Sequence, residues 1–210
     1  MYQPPHFRED RLEVQHALIR DFPLATLVTV SPTGLTANHI PFILDPAASR
    51  LGTLRAHVAR ANAVWREADG QEVLVVFQAS EAYVTPSWYE TKRETGKVVP
   101  TWNYAVVHAH GRLRAVADEA WLRAQIGALT RLKEEGRREP WQVGDAPEPF
   151  IAAQIKGIVG IEIEIARIEG KWKVSQNRPE ADRRGVVEGL RGEPNGAAMA
   201  ELVAAFGGVK

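Results

Sequence analysis

Alternating apolar and polar positions predict β-strands along much of this 210-residue chain. Between residues 158 and 168, Ile161, Ile163 and Ile165 alternate with polar positions, a pattern typical of a strand with one buried face. The segment 101–117 alternates as well, with small or apolar residues at odd positions from 105 onward and mostly aromatic, histidine or arginine residues at even ones. One face of this strand is expected to lie on a core, and the other on a ligand, a subunit or solvent.

A β-hairpin is predicted early in the sequence. Residues 24–30 form a β-branched apolar run that ends at Ser-Pro-Thr-Gly in positions 31–34, and these residue types favour turns. In the return strand, 35–44, Ile40, Phe42 and Leu44 fall on one face and are expected in the core. Further strands are predicted at 52–58, 72–78 and 171–175, the last after a turn at Glu169-Gly170.

Helical periodicity marks the remaining segments. Asp118 is expected to cap a helix that runs to about Glu135. The other helices are predicted at 9–20, near 149–155, at 179–190 and around an apolar stripe of Met199, Leu202, Val203 and Phe206. Hairpins with helices inserted late predict a mainly β fold with α (α+β), namely a split antiparallel β-barrel with peripheral helices and a C-terminal helical segment. We expect one domain over 1–210, with about 179–210 as a helical extension.

Composition and charge narrow the function classes. The chain has no cysteine, which excludes disulfides, thiolate zinc sites, iron–sulfur clusters and thiol nucleophiles. Its 26 basic and 26 acidic residues give a formal net charge of zero, whereas stand-alone DNA-binding domains are usually basic. No apolar run approaches the roughly 20 residues that span a bilayer, and the first residues lack the pattern of a signal peptide. A cytoplasmic protein without a membrane partner is expected.

Common catalytic signatures are absent from the sequence, including those of dinucleotide, nucleoside triphosphate, zinc-hydrolase and serine-hydrolase sites. His108 and His110 share one strand face at a spacing that could chelate a metal ion, but no carboxylate stands at a matching offset nearby. We therefore favour a structural or ligand-facing role for the two histidines and predict no metal site.

Large polar and aromatic residues are concentrated in short segments, at 36–42, 57–62, 83–89, 99–104 and 171–178. Each segment alone is explained by strand ends and turns, with Trp and Tyr as core residues. Buried polar groups destabilise a fold unless they find partners, so five such segments in one chain favour a shared binding site.

The residue types in these segments suit flavin mononucleotide (FMN), although they also suit other aromatic, anionic ligands. A phosphate needs cationic, hydroxyl and amide donors, and an isoalloxazine needs an apolar wall with a few polar groups at its edge. The phosphate candidates are His57, Arg60, Asn62 and Ser175. The ring candidates are Trp88, Trp102, Asn103, Gln176 and Asn177.

Six motifs, in order along the chain, resemble those of the PaiB-type FMN-binding negative transcriptional regulators. They are the opening Met-Tyr-x-Pro-x-His-Phe, Ala-Asn-His-Ile-Pro-Phe at 37–42, Ala-His-Val-Ala-Arg-Ala-Asn at 56–62, and the segments 83–89, 99–104 and 171–178. The resemblance implies a split barrel related to pyridoxamine-phosphate oxidase, bound FMN, a homodimer that forms the flavin site, and control of protease production and sporulation. The cofactor-binding residues expected on this basis are Asn38, His39, His57, Arg60, Asn62, Trp88, Thr101, Trp102, Asn103, Lys173, Ser175, Gln176 and Asn177.

Three functions remain open at the level of the sequence. The first is a flavin-binding regulator that acts through DNA or a regulatory protein. The neutral charge disfavours direct DNA contact, and Arg178, Arg183 and Arg184 form either a basic patch or a solvated helix face. The second is a flavin-dependent oxidoreductase or reductase of a small organic molecule, and the third is an FMN or heme carrier or sensor. Acid–base candidates for the enzyme are His39, His57 and His108.

Overall fold

The computed structural model describes residues 1–31 and 34–209. The predicted hairpin turn at 31–34 includes Pro32 and Thr33, which lie outside the described residues. The strands are β1 (Arg8–Glu9), β2 (Leu24–Ser31), β3 (Gly34–Pro41), β4 (Ile43–Asp45), β5 (Thr53–Ala59), β6 (Glu72–Val84), β7 (Thr101–Val116) and β8 (Ile158–Lys173). The helices are α1 (Leu12–Asp21), α2 (Val64–Glu67), α3 (Glu90–Thr95), α4 (Glu119–Glu134), α5 (Glu148–Lys156), α6 (Glu180–Arg191) and α7 (Ala197–Gly207).

The strands form one sheet in the order β3-β2-β6-β7-β8-β5-β4, and β1 pairs with β8. The strand pairs β1–β8, β2–β3, β2–β6, β4–β5 and β5–β8 are all antiparallel. Within residues 1–31 and 34–209 the sheet is not closed on itself. The predicted α+β class, with an antiparallel split barrel and peripheral helices, is confirmed. None of the described helices is both long and apolar enough to span a membrane.

Two compact units make up the chain. The first unit comprises Met1–Leu18, Gln78–Val107 and Glu169–Lys210, and the second comprises Ile19–Phe77 and His108–Ile168. Strands β6, β7 and β8 each contribute residues to both units. The organisation of 1–210 as one domain stays a prediction.

The core of the second unit follows the predicted alternation. Ile161, Ile163 and Ile165 in β8 are at most 3% exposed, and this strand pairs with β5 in a register that places His57 opposite Gly160. Phe42, predicted in the core with its neighbours Ile40 and Leu44, is buried and its ring meets Phe77 edge to face at 6.1 Å. The burial of these residues is therefore confirmed. The predicted return strand 35–44 is wrong as one strand, because it is divided into β3, which pairs with β2, and β4, which pairs with β5.

Helix α4 of the second unit begins where the sequence predicts. The Asp118 carboxylate accepts a hydrogen bond from Trp121 N at 2.7 Å, which satisfies one of the free donors at the helix start. Gly160 lies beneath the Trp121 indole, and a Cβ on Gly160 would come within 2.3 Å of that ring. The glycine thus allows α4 to lie close to β8.

One predicted turn in the first unit is wrong. Glu169 and Gly170 do not turn the chain, because β8 continues without a break to Lys173. Gly170 pairs with Glu9 of β1, and a Cβ on Gly170 would lie 2.7 Å from the Glu9 carbonyl oxygen. This glycine permits close strand contact instead of a reversal.

The predicted C-terminal helical segment is present as α6 and α7. Met199 and Val203 of the apolar stripe are buried, while Phe206 stacks on Trp172 with ring centroids 5.8 Å apart. Strand β6 runs six residues beyond its predicted end at 78, to Val84. The short elements β1, α2 and α3 were not predicted, because two to six residues carry too little periodicity.

Candidate functional site

One side of the sheet in the first unit carries exposed rings next to cations. We call this surface the aromatic–cationic face, and it consists of Tyr2, Tyr83, Trp102, Tyr104, Lys171 and Lys173. The rings of Tyr83 and Trp102 meet edge to face at 5.9 Å and are 48% and 52% exposed. Rings left half open to solvent in this way can stack against a planar ligand.

Lys171 is a buried cation at the base of this face. Its residue is 8% exposed, and its ammonium lies 5.4 Å from the Tyr104 ring centroid and 5.6 Å from that of Tyr2. Within the described part of the chain no carboxylate forms an ion pair with it. A buried charge without a counter-ion destabilises the fold, so this position favours an anion.

Lys173 is a second cation, two residues after Lys171 on β8 and on the same face of the strand. Its ammonium donates hydrogen bonds to the Thr101 hydroxyl and to the Trp102 carbonyl oxygen. Burial lowers the pKa of Lys173, and the charges of Lys171 and Arg178 lower this pKa further. The other two cations therefore repel Lys173, and a bound anion would relieve that repulsion.

Trp88, a predicted ring residue, ends the Pro86–Trp88 turn and packs against helix α6 of the first unit. A Cβ on Gly185 would lie 2.0 Å from the Trp88 carbonyl oxygen, and one on Gly189 would lie 2.3 Å from the indole. The Thr85 hydroxyl accepts a hydrogen bond from Ser87 N and so shapes the Pro86–Trp88 turn. Trp88 lines a cleft of about 770 Å³ together with Ser87, Glu90, Arg93, Glu180, Ala181, Arg184, Gly185, Glu188 and Gly189.

Tyr89 follows Trp88 and is 1% exposed. Burial raises the pKa of Tyr89, and the positive charge of Arg178 offsets part of this increase. The Arg178 guanidinium lies 4.6 Å from the Tyr89 ring centroid. The hydroxyl has no hydrogen-bond partner among the described residues. The next segment is anchored by Asp182, a fully buried carboxylate that accepts hydrogen bonds from Thr91 N and Oγ1, both at 2.9 Å.

Several predicted cofactor residues of the first unit are engaged within the protein. Asn103 and Ser175 are both buried, and the Asn103 amide donates to the Ser175 hydroxyl at 2.9 Å. Gln176 closes the turn after β8, accepting from Val174 N and donating to Trp172 O. Asn177, beside them, is exposed.

In the second unit, two predicted asparagines contact each other. The Asn62 amide donates to Asn38 Oδ1 at 2.9 Å, while Asn62 Oδ1 accepts from Val64 N at 3.0 Å. The Asn38 amide nitrogen is buried and has no partner among the described residues. Such a donor fits a ligand acceptor, because an unmet buried N–H is costly. His39, on the same strand, is exposed.

Arg60 extends from the turn after β5. Its Nε donates to the Lys156 carbonyl oxygen at 2.7 Å, and one terminal nitrogen donates to Ile158 O at 2.9 Å. The Arg60 carbonyl oxygen accepts from the Trp65 indole at 3.0 Å. A guanidinium has five N–H donors, so some remain for an exposed anion.

His57 lies half-buried on β5, and its Nδ1 is 2.7 Å from Gln125 Oε1. If this contact is a hydrogen bond to the amide oxygen, the proton lies on Nδ1 and Nε2 is the acceptor. The rings of His108 and His110, also in the second unit, have centroids 6.4 Å apart.

The arginines considered as a basic patch all have partners inside the protein. Arg184 pairs with Glu180 at 2.6 Å, Arg183 donates to the Arg178 carbonyl oxygen, and Arg178 lies over Tyr89. These contacts favour the helix-face interpretation over a surface dedicated to DNA.

The structure therefore divides the predicted cofactor residues between two groups. Asn38, His39, His57, Arg60 and Asn62 belong to the second unit, whereas Trp88, Thr101, Trp102, Asn103, Lys173, Ser175, Gln176 and Asn177 belong to the first. The prediction did not include Tyr2, Tyr83, Tyr104, Lys171 or Gln125. Alternation along the strands points to two of these residues. Tyr104 lies two positions from Trp102, and Lys171 lies two positions from Lys173, so each shares a strand face with a predicted residue.

These donor sets fit FMN. The unpartnered Asn38 amide, together with the exposed guanidinium of Arg60, matches the donors that a phosphate requires. A family model described as "Putative FMN-binding domain" matches residues 1–167. The chain belongs to this family. Its cofactor is accordingly a flavin.

Proteins similar in sequence to this chain support the assignment. A protein of Emericella nidulans is 37% identical over 248 residues, covering 100% of this chain and 99% of that protein. The Bacillus subtilis "Protease synthase and sporulation protein PAI 2" is 31% identical over 206 residues, covering 97% of this chain and 96% of that protein. The match to this protein confirms the resemblance to the PaiB type.

A solved structure supports the fold. The flavocytochrome Anf3 of Azotobacter vinelandii superposes with a TM-score of 0.59 at 14% identity, covering 79% of this chain and 69% of that chain. At this identity the similarity shows a common fold, here the split barrel.

Proposed function

We propose that this protein is an FMN-binding negative transcriptional regulator of the PaiB type and acts as a cytoplasmic homodimer. The observation that carries the proposal is the 31% identity to the Bacillus subtilis protease synthase and sporulation protein over almost the full length of both chains. A homodimer would have twice the 23.2 kDa of one chain in light scattering. A mass of one chain would contradict this part of the proposal.

In this proposal the flavin phosphate is held by the donor group of the second unit. Arg60 supplies positive charge, and its bonds to two carbonyl oxygens fix the guanidinium in place. The Asn38 amide supplies a neutral donor, and Asn62 orients it through the bond to Asn38 Oδ1. When bound, the flavin provides a reversible acceptor of electrons. The protein residues bind and orient it, and none of them needs to transfer a proton for repression.

Arg60→Ala is expected to weaken FMN binding about tenfold or more, because charge-assisted bonds to a phosphate are among the stronger hydrogen bonds. Riboflavin lacks the phosphate, so its affinity should stay unchanged. Both affinities are measured by quenching of flavin fluorescence. Arg50→Ala, which removes an exposed arginine of the same unit, serves as the charge-matched control.

The riboflavin comparison separates phosphate binding from structural damage. If Arg60→Ala lowers both affinities equally, Arg60 stabilises the fold through Lys156 and Ile158 rather than the phosphate. If neither affinity changes, Arg60 has no part in the site.

Negative regulation has its own test. Cells that lack the protein should show raised transcript levels for the genes it represses, and the wild-type chain should restore repression. With a net charge of zero, we expect purified protein to retain promoter DNA weakly and only at low salt, so that repression runs through a protein partner. Unchanged transcripts would exclude the regulator, and tight retention of promoter DNA at physiological salt would exclude the partner route.

The aromatic–cationic face favours a second candidate, a flavin-dependent oxidoreductase of a small organic molecule. Exposed rings beside Lys173 offer a surface that a substrate could contact. Oxidation of NAD(P)H by the FMN-loaded protein at a rate well above that of free FMN would support the enzyme.

A further inference from the structure

We propose that the aromatic–cationic face of the first unit is a second binding site, for a small planar molecule that carries a carboxylate. This site goes beyond the regulator function and is formed by residues outside the donor group assigned to the flavin phosphate. Its two components are a pair of lysines without carboxylate partners and a pair of exposed rings.

The first argument concerns Lys171. The residue is 8% exposed, and its described neighbours provide two aromatic rings but no ion-pair partner. Cation–π contacts with Tyr2 and Tyr104 offset only part of the desolvation of an ammonium. A carboxylate placed beside these rings would supply the missing opposite charge.

The second argument concerns Lys173, which is held in position for the same anion. Two of its three ammonium donors are used by Thr101 Oγ1 and Trp102 O. The third donor is left for a ligand, close to the Trp102 backbone. Because Lys171 and Lys173 repel each other, an anion that contacts both ammonium groups should bind more strongly than an anion that contacts only one of them.

The third argument concerns the shape of the ligand. Trp102 and Tyr83 form an edge-to-face pair, and each ring leaves about half of its surface open. Tyr104 follows two positions after Trp102, so both rings lie on one strand face. A planar ring would stack on this surface while its carboxylate reaches the lysines, which indicates an aromatic carboxylate.

The test titrates FMN-loaded protein with 2-naphthoate and with neutral 2-naphthamide by calorimetry. Naphthoate should bind, and naphthamide should bind about tenfold or more weakly because it lacks the charge. Lys171→Met should weaken naphthoate about tenfold, with FMN affinity unchanged, and Lys173→Met should also weaken naphthoate about tenfold. Lys97→Met, which removes an exposed lysine of the same unit, should leave naphthoate binding as in the wild type.

Thermal unfolding shows whether the variants fold. Lys171→Met removes an unpaired buried charge, so its ligand-free midpoint should not fall below that of the wild type. At the same concentration, naphthoate should raise the midpoint of the wild type more than that of Lys171→Met. Trp102→Ala, which removes an exposed ring, provides a second variant and should also weaken naphthoate.

Three results would overturn the proposal. The wild type could fail to bind naphthoate at millimolar concentration, or Lys171→Met could bind it as well as the wild type does. Alternatively, Lys171→Met could lose FMN but not riboflavin, which would assign the lysines to the flavin phosphate. Should the protein take up no FMN at all, the same naphthoate titration on flavin-free protein still decides this proposal separately.

Discussion

Gly185→Ala is expected to lower the free energy of unfolding by about 3 kcal/mol, at the upper end of what overpacking usually costs. The added methyl carbon would lie 2.0 Å from the Trp88 carbonyl oxygen, which belongs to the backbone. A rotamer change cannot relieve this clash, so the Pro86–Trp88 turn or helix α6 must move. Urea unfolding monitored by circular dichroism measures the change.

Gly127→Ala is the matched control, because Gly127 is also inside a helix. Its added carbon would lie 3.5 Å from the Arg131 guanidinium, an ordinary contact. Alanine should therefore stabilise this helix, by at most about 1 kcal/mol, through its higher helix propensity. Replacing glycine by alanine is thus expected to lower the free energy of unfolding at position 185 and to raise it at position 127. Equal effects at Gly185 and Gly127 would contradict the close contact with Trp88.

Asp182→Ala should destabilise the protein by a similar amount, about 3 kcal/mol, since it leaves two half-buried donors of Thr91 without an acceptor. The Asp182 carboxylate is fully buried on α6 and accepts from both the backbone N–H and the hydroxyl of Thr91. These bonds hold the start of α3, directly after Trp88 and Tyr89.

Asp182→Asn separates the loss of the acceptor from the loss of charge. The amide oxygen can still accept from Thr91 N, and the Thr91 hydroxyl can rotate to accept from the amide nitrogen. We therefore expect the asparagine variant to lie between the wild type and Asp182→Ala in denaturant midpoint. If the two variants are equally unstable, the charge of Asp182 rather than its hydrogen bonds stabilises this region.

Most of the fold was predictable from the periodicity of apolar residues and from helix-capping residues. The isoleucines of β8 and the cap at Asp118 are local signals, and each was confirmed. The continuation of β8 through Gly170 was not predictable, because the pairing with Glu9 involves residues more than 150 positions apart. A glycine that permits close contact has the same sequence signature as one that permits a turn.

The candidate site was predictable as a set of segments but not residue by residue. The polar character of Asn103 and Gln176 suggested ligand contacts, yet their side chains satisfy groups of the protein itself. Lys171 is not identifiable from the sequence, because nothing there shows that its ammonium lies near two aromatic rings. Burial of a charge is a tertiary property, and strand parity alone does not reveal it.

The two glycines of α6 also have a consequence for folding cooperativity. A helix of 12 residues is marginal by itself, and each glycine lowers helix propensity by roughly 1 kcal/mol relative to alanine. Helix α6 therefore depends on the Trp88 indole and backbone that lie against Gly185 and Gly189. Its amide protons should exchange with solvent only when the Pro86–Trp88 turn opens, so the turn and the helix form one unit of local unfolding.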